Sequence, residues 1–227
     1  MTDSTLLHEL IFNAAGRSPD ARALTYGAQQ ASYSQLAEQV NHFASGLLQL
    51  GLNRSERVGI YLEKRFETVV ASFGAPAAGG VFVPINPLLK PEQVAFILRD
   101  CNVRVLVTSP ERLPLLQTVL ADCPDLRHVV VTDGQAAANG EAAHAPWARH
   151  SWSNLLEAAP RAGHRVIDTD MLSILYTSGS TGKPKGVVLS HRNMVAGAKS
   201  VASTCKTGHK TRSWPLCRCR LTPVSAS

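Results

Sequence analysis

Short apolar runs alternating with helical patterns are what most restrict the fold of this chain. The runs at 57–62, 103–107 and 128–131, with the apolar stretch 78–87 among them, are too short for buried helices and rich in β-branched residues. Between them lie three helical patterns. One covers 66–78, disturbed by Gly74 and Pro76; one begins at Pro91 and carries Val94, Phe96, Ile97 and Leu98; one covers 113–120. Parallel strands need a crossover connection, usually a helix. The alternation therefore predicts an α/β fold with a mainly parallel sheet and flanking helices.

Upstream, Leu6, Leu7, Leu10, Ile11 and Ala14 fall at helical spacing before Gly16 and Pro19. Residues 23–26 and 31–33 predict a hairpin turning near Gly27. Ser34 is the expected N-cap of a helix that puts Leu36, Val40, Phe43, Leu47 and Leu50 on one face and closes at Gly51. Residues 133–151 are alanine-rich and aperiodic, and read as an exposed loop. Residues 152–158 form a short helical stretch, and Asp168-Thr169-Asp170 leads into the next apolar run. There the two aspartates read as a cap or a solvated turn, not as metal ligands.

The stretch with chemical content is 176–186. It lies between the apolar runs 171–176 and 187–189 and holds three glycines, the hydroxyls of Thr177, Ser178, Ser180 and Thr181, and Lys183 and Lys185. It has no acid. Glycines let backbone N–H groups approach an anion, hydroxyls donate further hydrogen bonds, and lysine adds a mobile positive charge. A polyphosphate suits such a loop. It departs from the Walker pattern, since the glycine spacing is wrong and Pro184 follows Lys183, so no helix starts directly after the lysine.

Residues 176–193 (Y-T-S-G-S-T-G-K-P-K-G-V-V-L-S-H-R-N) resemble the signature of the adenylate-forming superfamily. That superfamily comprises acyl- and aryl-CoA ligases, peptide-synthetase adenylation domains and luciferases. Two further stretches are similar to its landmarks: 32–36 to T-Y-x-x-L, and 78–87 to A-G-x-x-x-V-P-(I/L)-(D/N)-P. The resemblance covers about 5–203, a partial AMP-binding amino-terminal domain. It implies that a carboxylate attacks the α-phosphate of ATP to give an acyl-adenylate and pyrophosphate, after which a thiol takes the acyl group. ATP, Mg²⁺ and CoA are the implied cofactors, and a small carboxylate with CoA the implied partners.

By the same resemblance, Thr177, Ser178, Ser180 and Thr181 (hydroxyls), Gly179 and Gly182 (backbone) and Lys183 hold the β- and γ-phosphates; Lys185 is either a further cation or a solvated loop lysine. His191 reads as a helix-entry residue, not a catalyst. The family's adenine-binding aromatic segment, acidic magnesium residue, ribose-binding aspartate and catalytic lysine lie beyond 203, so this chain is expected to adenylate nothing by itself. A CoA ligase is the preferred reading, since the chain starts at the domain's own beginning; a peptide-synthetase adenylation domain and a non-catalytic nucleotide-binding module are the alternatives.

Net charge is +6, of which residues 204–227 supply five through Lys206, Lys210, Arg212, Arg218 and Arg220. The rest is near neutral, so no nucleic-acid partner is expected for the body of the chain. The same stretch carries Cys205, Cys217 and Cys219 in poor zinc spacing; Cys101 and Cys123 sit in apolar surroundings as buried thiols. Read one base out of phase, the codons for 217–220 permit leucine-proline-leucine-serine, which resembles what the family carries next. Residues 204–227 are therefore expected to be a frameshifted basic tail. No apolar run reaches the ~18 residues of a membrane span, and the amino terminus lacks a secretory pattern. The expectation is a cytoplasmic protein.

Overall fold

The computed structural model describes residues 4–132, 145–177 and 184–204. In chain order the elements are α1 (Glu9–Arg17), β1 (Arg22–Tyr26), β2 (Gln29–Ser32), α2 (Tyr33–Gln49), β3 (Arg57–Tyr61), α3 (Phe66–Ala78), β4 (Val81–Pro84), α4 (Pro91–Asp100), β5 (Val103–Thr108), α5 (Leu113–Leu120), β6 (His128–Val131), β7 (Ala148–Ser151), α6 (Trp152–Leu156), β8 (Met171–Thr177), β9 (Lys185–Ser190) and α7 (His191–Thr204). They divide into a compact unit over 1–195 and a second over 196–227, whose described part, 196–204, is helical.

The first unit is built on a seven-stranded sheet ordered β7-β6-β5-β3-β4-β8-β9. Every neighbouring pair is parallel except β8–β9, which is antiparallel. The predicted α/β architecture is therefore the observed one. A separate two-stranded hairpin, β1–β2, turns at Gly27, whose φ of +59° favours glycine.

Alternation along the strands sorts the core to two faces. Val58 and Ile60 of β3, Val105 and Val107 of β5 and Val130 of β6 pack with α1, α2, α3 and α6. Val103 and Leu106 of β5, Val129 and Val131 of β6 and Val81 and Val83 of β4 pack with α4 and α5. Helices on both faces leave the central strands apolar on both sides, which is why they read as continuous hydrophobic runs. Phe43 of α2 is fully buried, 4.8 Å from the Trp152 ring centre. Truncating such a ring costs about 3–5 kcal/mol.

Several local expectations change. Ser32, not Ser34, caps α2: its Oγ accepts the Gln35 N–H at 3.3 Å, while Gln35 Oε1 accepts the Ser32 N–H at 2.9 Å. This reciprocal box wins over a lone serine, and Ser34 Oγ lies 2.8 Å from Ser32 Oγ. Gly74 and Pro76 do not interrupt α3. A Cβ on Gly74 would stand 2.6 Å from Phe43 Cδ1, so glycine here allows α2 and α3 to approach. The expected loop at 133–151 contains an edge strand, β7, parallel to β6. Its sequence, Ala-Arg-His-Ser, is held by backbone pairing and carries no apolar pattern; residues 133–144 lie outside the described residues.

Residues 159–170 carry the chain from α6 back to β8 without regular structure. Arg161 N–H donates to Ser45 Oγ at 3.0 Å, His164 N–H to the Ala78 carbonyl at 3.2 Å, and His164 Nε2 lies 2.9 Å from the Leu52 carbonyl. Gly163 is pressed so closely on α3 that a Cβ there would lie 2.0 Å from the Ala77 carbonyl oxygen. This strap delivers β8 to the free edge of β4.

Candidate functional site

β8 runs parallel to β4, so its last residue, Thr177, leaves the sheet at the carboxyl edge, where open α/β sheets bind their ligands. β9 returns antiparallel beside it. Tyr176 pairs with Gly186 and Thr177 with Lys185, so the described ends of the candidate loop face each other. Ser178, Gly179, Ser180, Thr181, Gly182 and Lys183 lie outside the described residues. Thr177 and Lys185 are both exposed at the hairpin mouth. A hydroxyl and an ammonium brought together there suit phosphate oxygens.

The strand behind this mouth is firmly set. Leu172 and Ser173 of β8 are fully buried, and Ile174 packs on the α4/α5 face. Tyr176 is partly buried beside the same cluster, and its phenol donates to Asp100 Oδ2, at the end of α4, at 2.5 Å. Burial and Asp100 together push the phenol's pKa well above its ordinary value. Gly186 completes the arrangement, since a Cβ there would lie 2.9 Å from Ile174 Cγ2 and 3.3 Å from Tyr176 Cζ. Tyr176, Gly186 and Asp100 are thus part of the hairpin's frame, although only a glycine inside a strand hinted at it.

His191 is buried at the start of α7, and its Nδ1 accepts the Leu7 N–H at 3.1 Å. Burial lowers its pKa despite Asp170, Glu9 and Asp168. The ring is a structural acceptor at the helix entry. Asp168 and Asp170 are engaged in ion pairs with Arg192 (2.8 Å) and Arg54 (2.7 Å), and those hydrogen bonds hold both carboxyls below their usual range. Asp170 also accepts the Ile167 N–H at 2.9 Å and closes the turn before β8. Among the described residues, no group of three or more His, Cys, Asp or Glu stands together to hold a metal. Nor is any described helix long and apolar enough to cross a membrane. Cys101 and Cys123 are buried free thiols; burial pushes Cys101 up to about 11, which leaves it unreactive.

An open cleft of about 880 Å³ lies elsewhere, lined among others by Tyr26, Gln35, Glu63, Arg65 and Trp152. None of its lining residues belongs to β8 or β9.

The family described as AMP-binding enzyme matches residues 11–217. Tyrocidine synthase 3 of Brevibacillus parabrevis is 32% identical over 192 residues, covering 83% of this chain and 3% of its own length. Among solved structures, MbtA of Mycobacterium smegmatis in its apo form aligns with a TM-score of 0.77 at 28% identity, over 88% of this chain and 36% of its own. The anthranilate CoA ligase AuaEII in complex with anthranoyl-AMP aligns with a TM-score of 0.74 at 28% identity, over 82% and 35%. The chain therefore spans a small share of the curated relative and about a third of these structures.

Proposed function

We propose a reaction from kinship and hairpin geometry together: the chain belongs to the AMP-binding enzyme family, within the adenylate-forming superfamily. The reaction is ATP-dependent activation of a carboxylic acid. A carboxylate oxygen attacks the α-phosphorus, the bond from that phosphorus to the bridging oxygen breaks, and pyrophosphate leaves with the electron pair. The acyl-adenylate then passes its acyl group to a thiol, releasing AMP. The observation that carries this reading is the pairing of Thr177 with Lys185 at the carboxyl edge of a parallel sheet. In the sequence, a run of glycine, hydroxyl and lysine residues lies between these two positions.

In this reading the chain's own part is to hold phosphate. Thr177, Ser178, Ser180 and Thr181 donate from hydroxyls, Gly179 and Gly182 from backbone, and Lys183 and Lys185 offset the charge on the β- and γ-phosphates and on the departing pyrophosphate. Magnesium does not fit the described residues of the hairpin mouth, since an ammonium repels a cation. The ion would arrive on the triphosphate.

Coenzyme A is the thiol we favour, supported by likeness to the anthranilate CoA ligase. A carrier-bound thiol, as in a peptide-synthetase adenylation domain, is the second reading, and similarity to tyrocidine synthase 3 favours it. The 227-residue chain alone is proposed to bind the triphosphate and to leave it uncleaved, because it spans only about a third of the ligase it resembles.

The test is amine labelling of Lys183 and Lys185 with and without nucleotide. ATP and pyrophosphate should protect both lysines and AMP should not; equal labelling in all cases overturns the phosphate-holding role. Substrate-dependent exchange of pyrophosphate into ATP by the isolated chain would overturn its inactivity. Residues 204–227 remain, in our proposal, a frameshifted tail. Sequencing the coding DNA across codons 195–240 decides this: an intact frame there removes the idea.

A further inference from the structure

We propose that the hydrogen bond between Tyr176 and Asp100 is a positioning tie that sets the mouth of the β8–β9 hairpin, and through it Thr177 and Lys185, for phosphate. The inference rests on the phosphate-holding role assigned above and names two residues that act on it without touching the ligand.

Three observations carry it. First, the bond joins residues 76 positions apart, from the last residue of α4 to the residue before Thr177. At 2.5 Å from phenol oxygen to carboxylate oxygen it has the length of a charge-assisted bond. Second, Asp100 stands where a helix disfavours an acid. The carboxyl end of α4 already carries partial negative charge from unpaired carbonyls, and an aspartate there adds to it. The Tyr176 hydroxyl is a specific gain that offsets this placement. Third, the tyrosine is clamped from the opposite side. Gly186 has no side chain, and Tyr176 Cζ and Ile174 Cγ2 lie where its Cβ would press. The ring therefore sits against the β9 backbone at the residue paired with it, next to Lys185.

The mechanical consequence is simple. β9 is the edge strand of the sheet, with Val187 and Val188 half exposed, so nothing on its outer side fixes the hairpin laterally among the described residues. Backbone pairing fixes β9 to β8, and the phenol fixes the end of β8 to α4. Without the hydroxyl, the carboxyl end of β8 and the first residue of β9 are free to shift together, and the hydroxyl and ammonium at the mouth lose their common register on a phosphate.

The test uses the 227-residue chain, inorganic pyrophosphate and four variants: Tyr176→Phe, Asp100→Ala, Asp100→Asn and the Tyr176→Phe/Asp100→Ala pair. Pyrophosphate affinity is read by titration calorimetry, stability by urea denaturation, and local order by amide exchange at 176–177 and 185–186. Tyr176→Phe and Asp100→Ala should each weaken pyrophosphate binding about tenfold, the scale of one charge-assisted hydrogen bond. The pair should be no worse than either alone, since both break one contact. Asp100→Asn keeps an acceptor and should recover most of the affinity. Exchange at the mouth should rise in the phenylalanine variant and stay near wild type in the asparagine variant.

Equal affinity in all variants, or additive losses in the pair, overturns the tie. So does a fall in urea midpoint with affinity and local exchange unchanged, which is what a merely structural contact gives. If the unaltered chain binds no pyrophosphate, the phosphate-holding reading falls by itself. The tie is then judged on exchange alone: faster exchange at the mouth in Tyr176→Phe keeps it, and unchanged exchange removes it.

Discussion

The backbone N–H of Leu7 donates to Nδ1 of His191 at 3.1 Å, joining the segment before α1 to the first residue of α7 across 184 positions. An accepting nitrogen carries no proton, so this bond requires that face of the imidazole to stay deprotonated. His8 lies alongside, its ring centre 5.9 Å from that of His191, and its own Nδ1 is buried without a hydrogen-bond partner among the described residues. Burial, with His191 as neighbour, lowers the pKa of His8 to about 4.

Stability should therefore fall with acid in a defined window. Both rings have folded pKa values below the unfolded value of 6.5, so the unfolded state binds the extra protons. Stability is complete above pH 6.5 and is lost as pH drops towards about 4, where His8 itself charges. The His8 contribution is on the order of 3 kcal/mol over that range. Urea denaturation at pH 7.5 and pH 5 measures it, and His8→Phe should flatten the slope.

Gly163→Ala should be among the most damaging small changes in the chain. Its Cβ would sit 2.0 Å from the Ala77 carbonyl oxygen, a backbone atom that cannot swing away as a side chain can. The strap must lift off α3, at a cost of roughly 1–3 kcal/mol. A fall in urea midpoint with unchanged helix content checks it.

Gly186→Val should affect the hairpin more than the global fold. Its branched side chain would press on Ile174 and Tyr176 and push the edge strand outward. A loss of roughly 1–3 kcal/mol in stability is expected from overpacking. Lys185 should become equally reactive to amine labelling with and without pyrophosphate.

Arg112 ties three crossover loops at the carboxyl edge of the sheet. It donates to the Pro87 carbonyl at 2.6 Å, pairs with Glu63, and lies over the Tyr61 ring at 4.9 Å. Arg112→Met should cost about 2 kcal/mol, because a partly buried carbonyl and a carboxylate lose their donor. Arg54→Met, which removes an arginine 51% exposed where Arg112 is 15% exposed, should cost less than about 1 kcal/mol. Comparing the two urea midpoints tests the difference.

What was readable beforehand follows from how far each signal reaches. The strands at 57–62 and 103–107 announce themselves because both of their faces are buried and nearly every residue is apolar. β7 does not, since its Ala-Arg-His-Ser sequence reports only an edge with backbone pairing. Ser32 and Ser34 are equivalent as single letters, and only the glutamine three residues after Ser32 separates them. At the candidate site, Thr177 and Lys185 could be picked out by residue type, and their pairing across the hairpin follows from the apolar runs on either side. Asp100 could not. It reaches Tyr176 through tertiary packing, and no local pattern near residue 100 signals that the helix ends on a partner so far along the chain.

The strap has one more consequence, in the order of assembly. Phe82 of β4 pairs with Ser173 of β8, roughly ninety residues later. As the chain emerges during synthesis, β3, β5 and β6 find their neighbours while β4 waits with one rim of backbone donors and acceptors unmatched. An open strand rim is a template for pairing with other chains. The vulnerable interval of synthesis is thus the one before β8 emerges, and a nascent chain halted between 132 and 170 should be the species that aggregates or calls on a chaperone.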